Sequence, residues 1–192
     1  MSASNNCVLL NKFHAGNGGD GKHYWLTPPD MYATLDAEFH FDFDPCPFPL
    51  PAGFDGLTCV WGQRNFVNPP FGSILHEGRK KGPTAWMRKA IEEQRQGKLS
   101  VVVYPVDKWV LMMLAATGAS NVRNLGDVKW CATEDGSAGK GTGRHIACFI
   151  LYPYDSEFWR LSNTRMNCKD HGVVAERLPI KPVQDSEVWR LA

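Results

Sequence analysis

The segment Asn68-Pro69-Pro70-Phe71 has the residue types and spacing most suited to chemistry. Two consecutive prolines fix two φ angles and remove two amide donors. The first also pushes Asn68 toward an extended geometry. The Pro69 carbonyl is thereby kept out of a regular ladder and left free to face a pocket, with the Asn68 side-chain oxygen as a second acceptor beside it. Two acceptors converging on one amino group, followed by a ring that can stack on a base, suit an exocyclic aromatic amine. Such an amine is a poor nucleophile because its lone pair is delocalised. Hydrogen bonds from both its N–H groups to Asn68 and Pro69 would favour a pyramidal nitrogen and stabilise the charge that develops as it accepts a methyl group. The rest is alignment of amine, methyl and leaving sulfur. The competing reading is a proline-rich turn that only ends a strand.

Two glycine-bounded segments elsewhere in the chain carry basic residues. Arg79, Lys80 and Lys81 follow the Asn68 segment closely, where contacts to phosphates around an entering nucleotide are plausible, and Ser73 and His76 could reach base edges. A solvated loop is the alternative. The stretch 133–143, with Lys140 and then Arg144, is a second candidate DNA-facing element. Its Gly139-Lys140-Gly141-Thr142-Gly143 string lacks P-loop spacing, so nucleotide triphosphate use is not expected. His145-x-x-Cys148 and Cys168-x-x-His171 could each give half a zinc site. The six cysteines show no CxxC pair, and reduced structural thiols with no bound metal are the expectation.

The elements that must position these groups can be read from local pattern. Thr27 followed by Pro28, Pro29 and Asp30 reads as a capped helix start, with Met31, Leu35 and Phe39 on one face. The alternating run from Phe39 to Asp44 reads as a short strand that ends in a carboxylate before the prolines at 45, 47, 49 and 51. A strand over 63–67 delivers Asn68, and Gly72 to Pro83 reads as a polar basic loop. Thr84 to Gln96 is an expected helix stopped by Gly97. Leu99 to Tyr104 is a strand buried on both faces. Asp107 can cap a helix from Lys108 to Thr117, and strands are expected at 121–125, 128–132 and 144–152. This alternation predicts an open α/β sheet, mostly parallel, with a C-terminal antiparallel hairpin and ligands past the carboxyl ends of its strands.

At 192 residues the chain has the length of one domain. Residues 1–22 read as a flexible lead-in, 23–153 as the main domain and 154–192 as a partly packed extension of it. Hydrophobic residues make up 43%, and the longest strongly apolar run, Trp109 to Ala116, is too short for a membrane span. No basic stretch followed by an apolar one opens the chain, so secretion is not expected. Net charge is +1, yet residues 1–60 carry two basic and seven acidic side chains, and residues 61–98 carry eight basic and three acidic. The second segment is basic enough to face a polyanion, or the two are solvated faces of opposite sign.

Thr27-Pro28-Pro29, Phe43-Asp44-Pro45-Cys46, Asp55-Gly56-Leu57 with Trp61, Phe66 to Phe71, Trp86 with Lys89-Ala90, Tyr104-Pro105 and Asp127 to Trp130 occur in this order. In that order and spacing the chain resembles the phage-type DNA N-6-adenine-methyltransferases over about residues 24–153. The resemblance implies a Rossmann-like fold, S-adenosylmethionine as methyl donor, and a flipped adenine in double-stranded DNA as acceptor. It also implies the cytoplasm of a bacterial host, with a phage or prophage source. By the same resemblance, Asn68, Pro69, Pro70 and Phe71 form the catalytic tetrapeptide, Asp44 and Pro45 end the first core strand beside the donor, and Trp25 to Pro28 pack on its methionine part. Asp55 resembles an acidic position near the donor.

Read physically, Asp44 could accept from the donor's ammonium or a ribose hydroxyl, or cap the following turn. Tyr24 and Trp25 could cover its adenosyl ring or close the core. Two departures from the pattern stand out: a proline-rich loop replaces the glycine-rich turn after the first strand, and Phe71 stands where tyrosine is common. Alternatives that share the two-acceptor logic are cytosine N-4 or another amine as acceptor. A different class is an inactive DNA-binding protein. Whether the chain is a monomer or a homodimer stays open.

Overall fold

The computed structural model describes residues 25–72, 74–111, 120–133, 135–139, 141, 143–154 and 156–160. The lead-in 1–22, Tyr24, Ser73, Lys140 and most of the extension beyond 154 lie outside these residues.

The chain enters through Leu26, which exchanges backbone hydrogen bonds with Cys131 at 3.1 and 2.9 Å. Helix α1 (Pro29–Phe39) follows, with Pro at its start and His40 in the left-handed region, φ 53°, at its end. Leu35 and Phe39 are its buried residues, as the four-residue spacing requires. Thr27 does not cap it. The helix begins two residues later, behind Pro28, and the Thr27 hydroxyl is engaged elsewhere.

The expected strand 39–44 is reduced to one parallel bridge, Phe43 with Asn65. It is fixed by Asp42, whose carboxylate accepts from the amides of Gln63 and Arg64 at 3.1 and 2.9 Å. Strand β1 (Arg64–Val67) leads into Asn68. The segment expected as a loop forms a hairpin, β2 (Ile74–His76) and β3 (Arg79–Lys81), turning at Glu77 and Gly78, both with positive φ. Helix α2 (Thr84–Arg95) ends before Gly97, φ 85°. Strand β4 (Leu99–Pro105), a helical turn over 108–111, β5 (Ser120–Gly126) and β6 (Ile146–Leu151) complete the order. The Asp107 carboxylate caps that turn, accepting from the Trp109 amide at 2.7 Å. Residues 112–117 of the expected helix lie outside the described residues, and 128–132 forms a bridge at Cys131 in place of a strand.

The main sheet has the order β1-β4-β6-β5. Of its three pairings, β1–β4 is parallel and both β4–β6 and β5–β6 are antiparallel. The expectation of an open, mostly parallel Rossmann-like sheet is therefore corrected: this is a small mixed sheet, mostly antiparallel in its pairing, with short helices. The physical reason is that β6 inserts between β4 and β5, running against both. A continuous apolar run such as Ile146–Leu151 has the same composition whichever way its neighbours point, so sequence pattern does not fix its direction.

Alternate residues of β4 and β6 enter two cores. Val102, Ala147, Phe149 and Leu151 pack with Trp86, Met87, Ala90 and Ile91 of α2. Val101, Val103, Ile146, Cys148 and Ile150 pack with Leu35 and Phe39 of α1. Burial on both faces accounts for the unbroken β-branched run in β4. Trp159 and Tyr152 join the second core, so the start of the expected extension packs on it. Because β1, β4 and β5 run the same way, their carboxyl ends share one sheet edge with the start of β6.

Candidate functional site

That edge carries the Asn68 turn. Asn68 is half-buried, and its Nδ2 donates to the Trp25 carbonyl at 2.7 Å and to Thr27 Oγ1 at 3.1 Å. With both N–H groups engaged, the side chain has only Oδ1 left to accept, and among the described residues nothing donates to it. Pro69 and Pro70 are buried, and no described backbone amide donates to the Pro69 carbonyl. The turn is clamped at both ends. Asn68 is tied to the Trp25–Thr27 segment, itself held by Leu26 on Cys131. Phe71 meets Trp130 and Tyr104 with ring centroids 5.2 and 5.5 Å apart, both nearly perpendicular.

Beside Asn68 lies a cavity of about 370 Å³. It gathers four of the residues singled out from sequence, Trp25, Thr27, Asp44 and Asn68, and adds the rings of Tyr32, Phe48 and Phe66 together with Cys46. These additional walls come from α1, the proline loop and β1, whose convergence is non-local. The alternating aromatic run 39–43 and the exposed Tyr32 gave no local signal of it. Pro28 and Pro45 adjoin the cavity in sequence without lining it.

Asp44 Oδ1 accepts from the Cys46 amide at 2.7 Å, so the turn-capping role is real. Burial nevertheless pushes its carboxyl up to about 6, against the lowering effect of that hydrogen bond. Burial, with Asp36 and Asp44, also raises the Tyr32 hydroxyl. Cys46 is pushed well above the ordinary thiol range by burial, with Asp44 and Cys59 adding to it, so it stands as a neutral wall and not a nucleophile. A carboxylate in an apolar surround, with no cation to neutralise it among the described residues, is a site that favours a positively charged ligand.

The loop 45–56 is packed tightly enough that a Cβ at Gly56 would collide with the Pro45 carbonyl. Gly56 in turn accepts the Trp61 indole N–H at 2.7 Å. Asp55 does not reach the cavity. Its Oδ1 accepts from the Leu57 amide at 2.9 Å, and its Oδ2 pairs with His76 Nδ1 at 2.7 Å. The two residues singled out for different ligands thus meet each other. Arg79 is exposed and Lys81 half-buried on β3, while the side chain of Lys80 lies outside the described ones. Arg144 is exposed and borders a wider groove of about 880 Å³ together with Tyr104, Asn124 and His145. Tyr104, which touches Phe71, therefore connects this groove to the Asn68 turn.

Among the described residues no cluster of three or more His, Cys, Asp or Glu could hold a metal. Comparison with known protein families, curated proteins and solved structures finds no match to this chain.

Proposed function

We propose that the chain is an S-adenosylmethionine-dependent methyltransferase acting on the exocyclic N-6 amine of adenine in double-stranded DNA. One observation carries the reading: the amide nitrogen of Asn68 is occupied by Trp25 and Thr27, which turns the remaining oxygen into a fixed acceptor beside a cavity whose carboxylate no cation of the described residues neutralises. The chemistry needs this turn and cavity, not a particular strand direction in the sheet. The order of motifs that resembles the phage-type adenine methyltransferases adds support.

A cavity of this size lies in the range that holds small organic ligands. When bound, S-adenosylmethionine supplies an electrophilic methyl group on a cationic sulfur. Asp44 would offer its anionic oxygen to the positive charge, and the rings of Trp25, Tyr32, Phe48 and Phe66 would supply apolar walls. Asn68 Oδ1 and the Pro69 carbonyl would accept the two N–H bonds of the amine, localising its lone pair and stabilising the charge it gains. Because Trp25 and Thr27 hold the Asn68 amide in place beforehand, little reorganisation is left for the moment of reaction. Phe71, its orientation set by Tyr104 and Trp130, would stack on the base.

The test is transfer of a tritiated methyl group from the donor to duplex DNA, followed by digestion and separation of the nucleosides. Label in N-6-methyldeoxyadenosine is expected. Label in cytosine would move the acceptor, and no label in any base would overturn the enzyme reading in favour of a DNA-binding protein.

A further inference from the structure

The pair formed by Asp55 and His76 has no part in the chemistry just described, yet it joins two elements 21 residues apart. Asp55 is rigidly mounted. It accepts the Leu57 amide on its side chain, its carbonyl accepts the amides of Thr58 and Cys59, and the neighbouring Leu57 and Cys59 pack against a core. His76 is the last residue of β2, with a side chain only 11% exposed, and it faces Asp55 on Nδ1 and Glu77 more distantly on Nε2. The hairpin to which it belongs begins three residues beyond Phe71 and ends in Arg79, Lys80 and Lys81. Among the described side chains of the hairpin, His76 makes its polar tie to the rest of the molecule, and neither Arg79 nor Lys81 has a carboxylate partner among the described residues.

We infer that the Asp55–His76 pair is a latch that sets the position of a cationic hairpin against the phosphates of duplex DNA next to the Asn68 turn. A three-residue, two-stranded ribbon is marginal by itself, so its orientation depends on such a tie. Cations held in register along a phosphate backbone contribute through counterion release, which an unlatched ribbon would do only in part. His76 is then a positioning residue, and Asp55 serves the DNA and not the donor. The identity of the polyanion rests on the function proposed above; the latch itself does not.

The experiment compares the full chain with His76→Phe, Asp55→Asn, His76→Gln, the triple change Arg79→Gln/Lys80→Gln/Lys81→Gln, and that triple change combined with His76→Phe. Amide hydrogen exchange at residues 74–81 and binding of a duplex oligonucleotide across salt concentrations are read for each. His76→Phe should speed exchange in the hairpin about tenfold or more, leave the β4 and β6 amides unchanged, weaken duplex binding about tenfold and flatten its salt slope. His76→Gln should restore part of each effect. In the triple background His76→Phe should add nothing to the binding loss, because there is no charge left to position. An unchanged hairpin, or a binding loss that persists in the triple background, would overturn the latch. Loss of donor affinity in Asp55→Asn would return Asp55 to the donor site and also overturn it. If the wild type binds no DNA, the function falls, and altered exchange with no effect on any binding would remove the phosphate role while the tie stands.

Discussion

Two carboxylates inside this protein meet opposite surroundings. Glu93, on the buried side of α2, has Lys89 Nζ at 2.8 Å and Lys98 Nζ against its other oxygen, and Lys98 also donates to the Trp61 carbonyl at 2.9 Å. Burial would raise its carboxyl, but hydrogen bonds from Lys89 and Lys98 outweigh that and hold it below the ordinary range. Asp44 has the burial, one backbone hydrogen bond and no cation among the described residues, and is pushed up to about 6. The first is a completed structural cluster that ties α2 to the start of β4. The second is a charge the fold leaves unneutralised at the wall of a cavity, and such incompleteness is what a ligand can satisfy.

The largest effect should come from breaking the completed cluster. Glu93→Gln leaves two lysines without their buried counter-charge and should cost about 3–5 kcal/mol in urea denaturation. A loss below 1 kcal/mol would mean that the cluster is solvated and the contrast with Asp44 false. Next, Asn68→Ala removes one of the two acceptors and should lower methyl transfer about 10²–10³-fold, with the protein still folded and its melting temperature lowered by only a few degrees through the lost bonds to Trp25 and Thr27. Unchanged turnover would reject the role of the turn.

The Asp44 carboxyl is higher in the fold than the ordinary value of 3.8, so its favourable contribution is complete below that value and is lost as pH rises to about 6. Asp44→Asn, which keeps an acceptor for the Cys46 amide, should therefore gain on wild type between those values. Above pH 6 the gain should level off at on the order of 1–3 kcal/mol. Glu93 behaves oppositely: held below 4.5, its contribution is present above that value and lost as pH falls through the lowered one. Denaturation curves from pH 4 to 7 separate the two. The smallest effect belongs to an exposed pair: Glu38 and Arg123 join through two hydrogen bonds of 2.7 and 2.9 Å, and Glu38→Gln should cost only about 0.2–1 kcal/mol.

Local signals carried much of this fold. The prolines around Thr27 and Asn68 marked a helix start and a turn, Gly97 stopped α2 where expected, and the β-branched run 101–103 marked a strand buried on both faces. Sheet direction was not legible, since nothing in Ile146–Leu151 says which strand it will oppose. The hairpin 74–81 was hidden by its glycines and cations, which have loop composition. At the cavity, Asp44 and Asn68 were singled out because each follows a strand-like run that opens into prolines, and Trp25 and Thr27 through the resemblance alone. Tyr32, Phe48 and Phe66 were not, because they reach it from three separated segments. Thr27 was recognised both as a helix cap and as part of the segment beside the donor; the helix begins at Pro29 without a side-chain cap, and the Thr27 hydroxyl accepts from Asn68. Asp55 and His76 could be paired only through tertiary structure.

If the cavity beside Asn68 takes a cationic methyl donor, as proposed, Asp44 is the group that holds it. Calorimetric titration of S-adenosylmethionine at pH 5 and pH 8, on wild type and Asp44→Asn, tests this most directly. Wild type should bind about tenfold more weakly at pH 5, where Asp44 must give up a proton first, and Asp44→Asn should bind weakly at both. No heat of binding at either pH, or equal affinity in the two proteins, would contradict it.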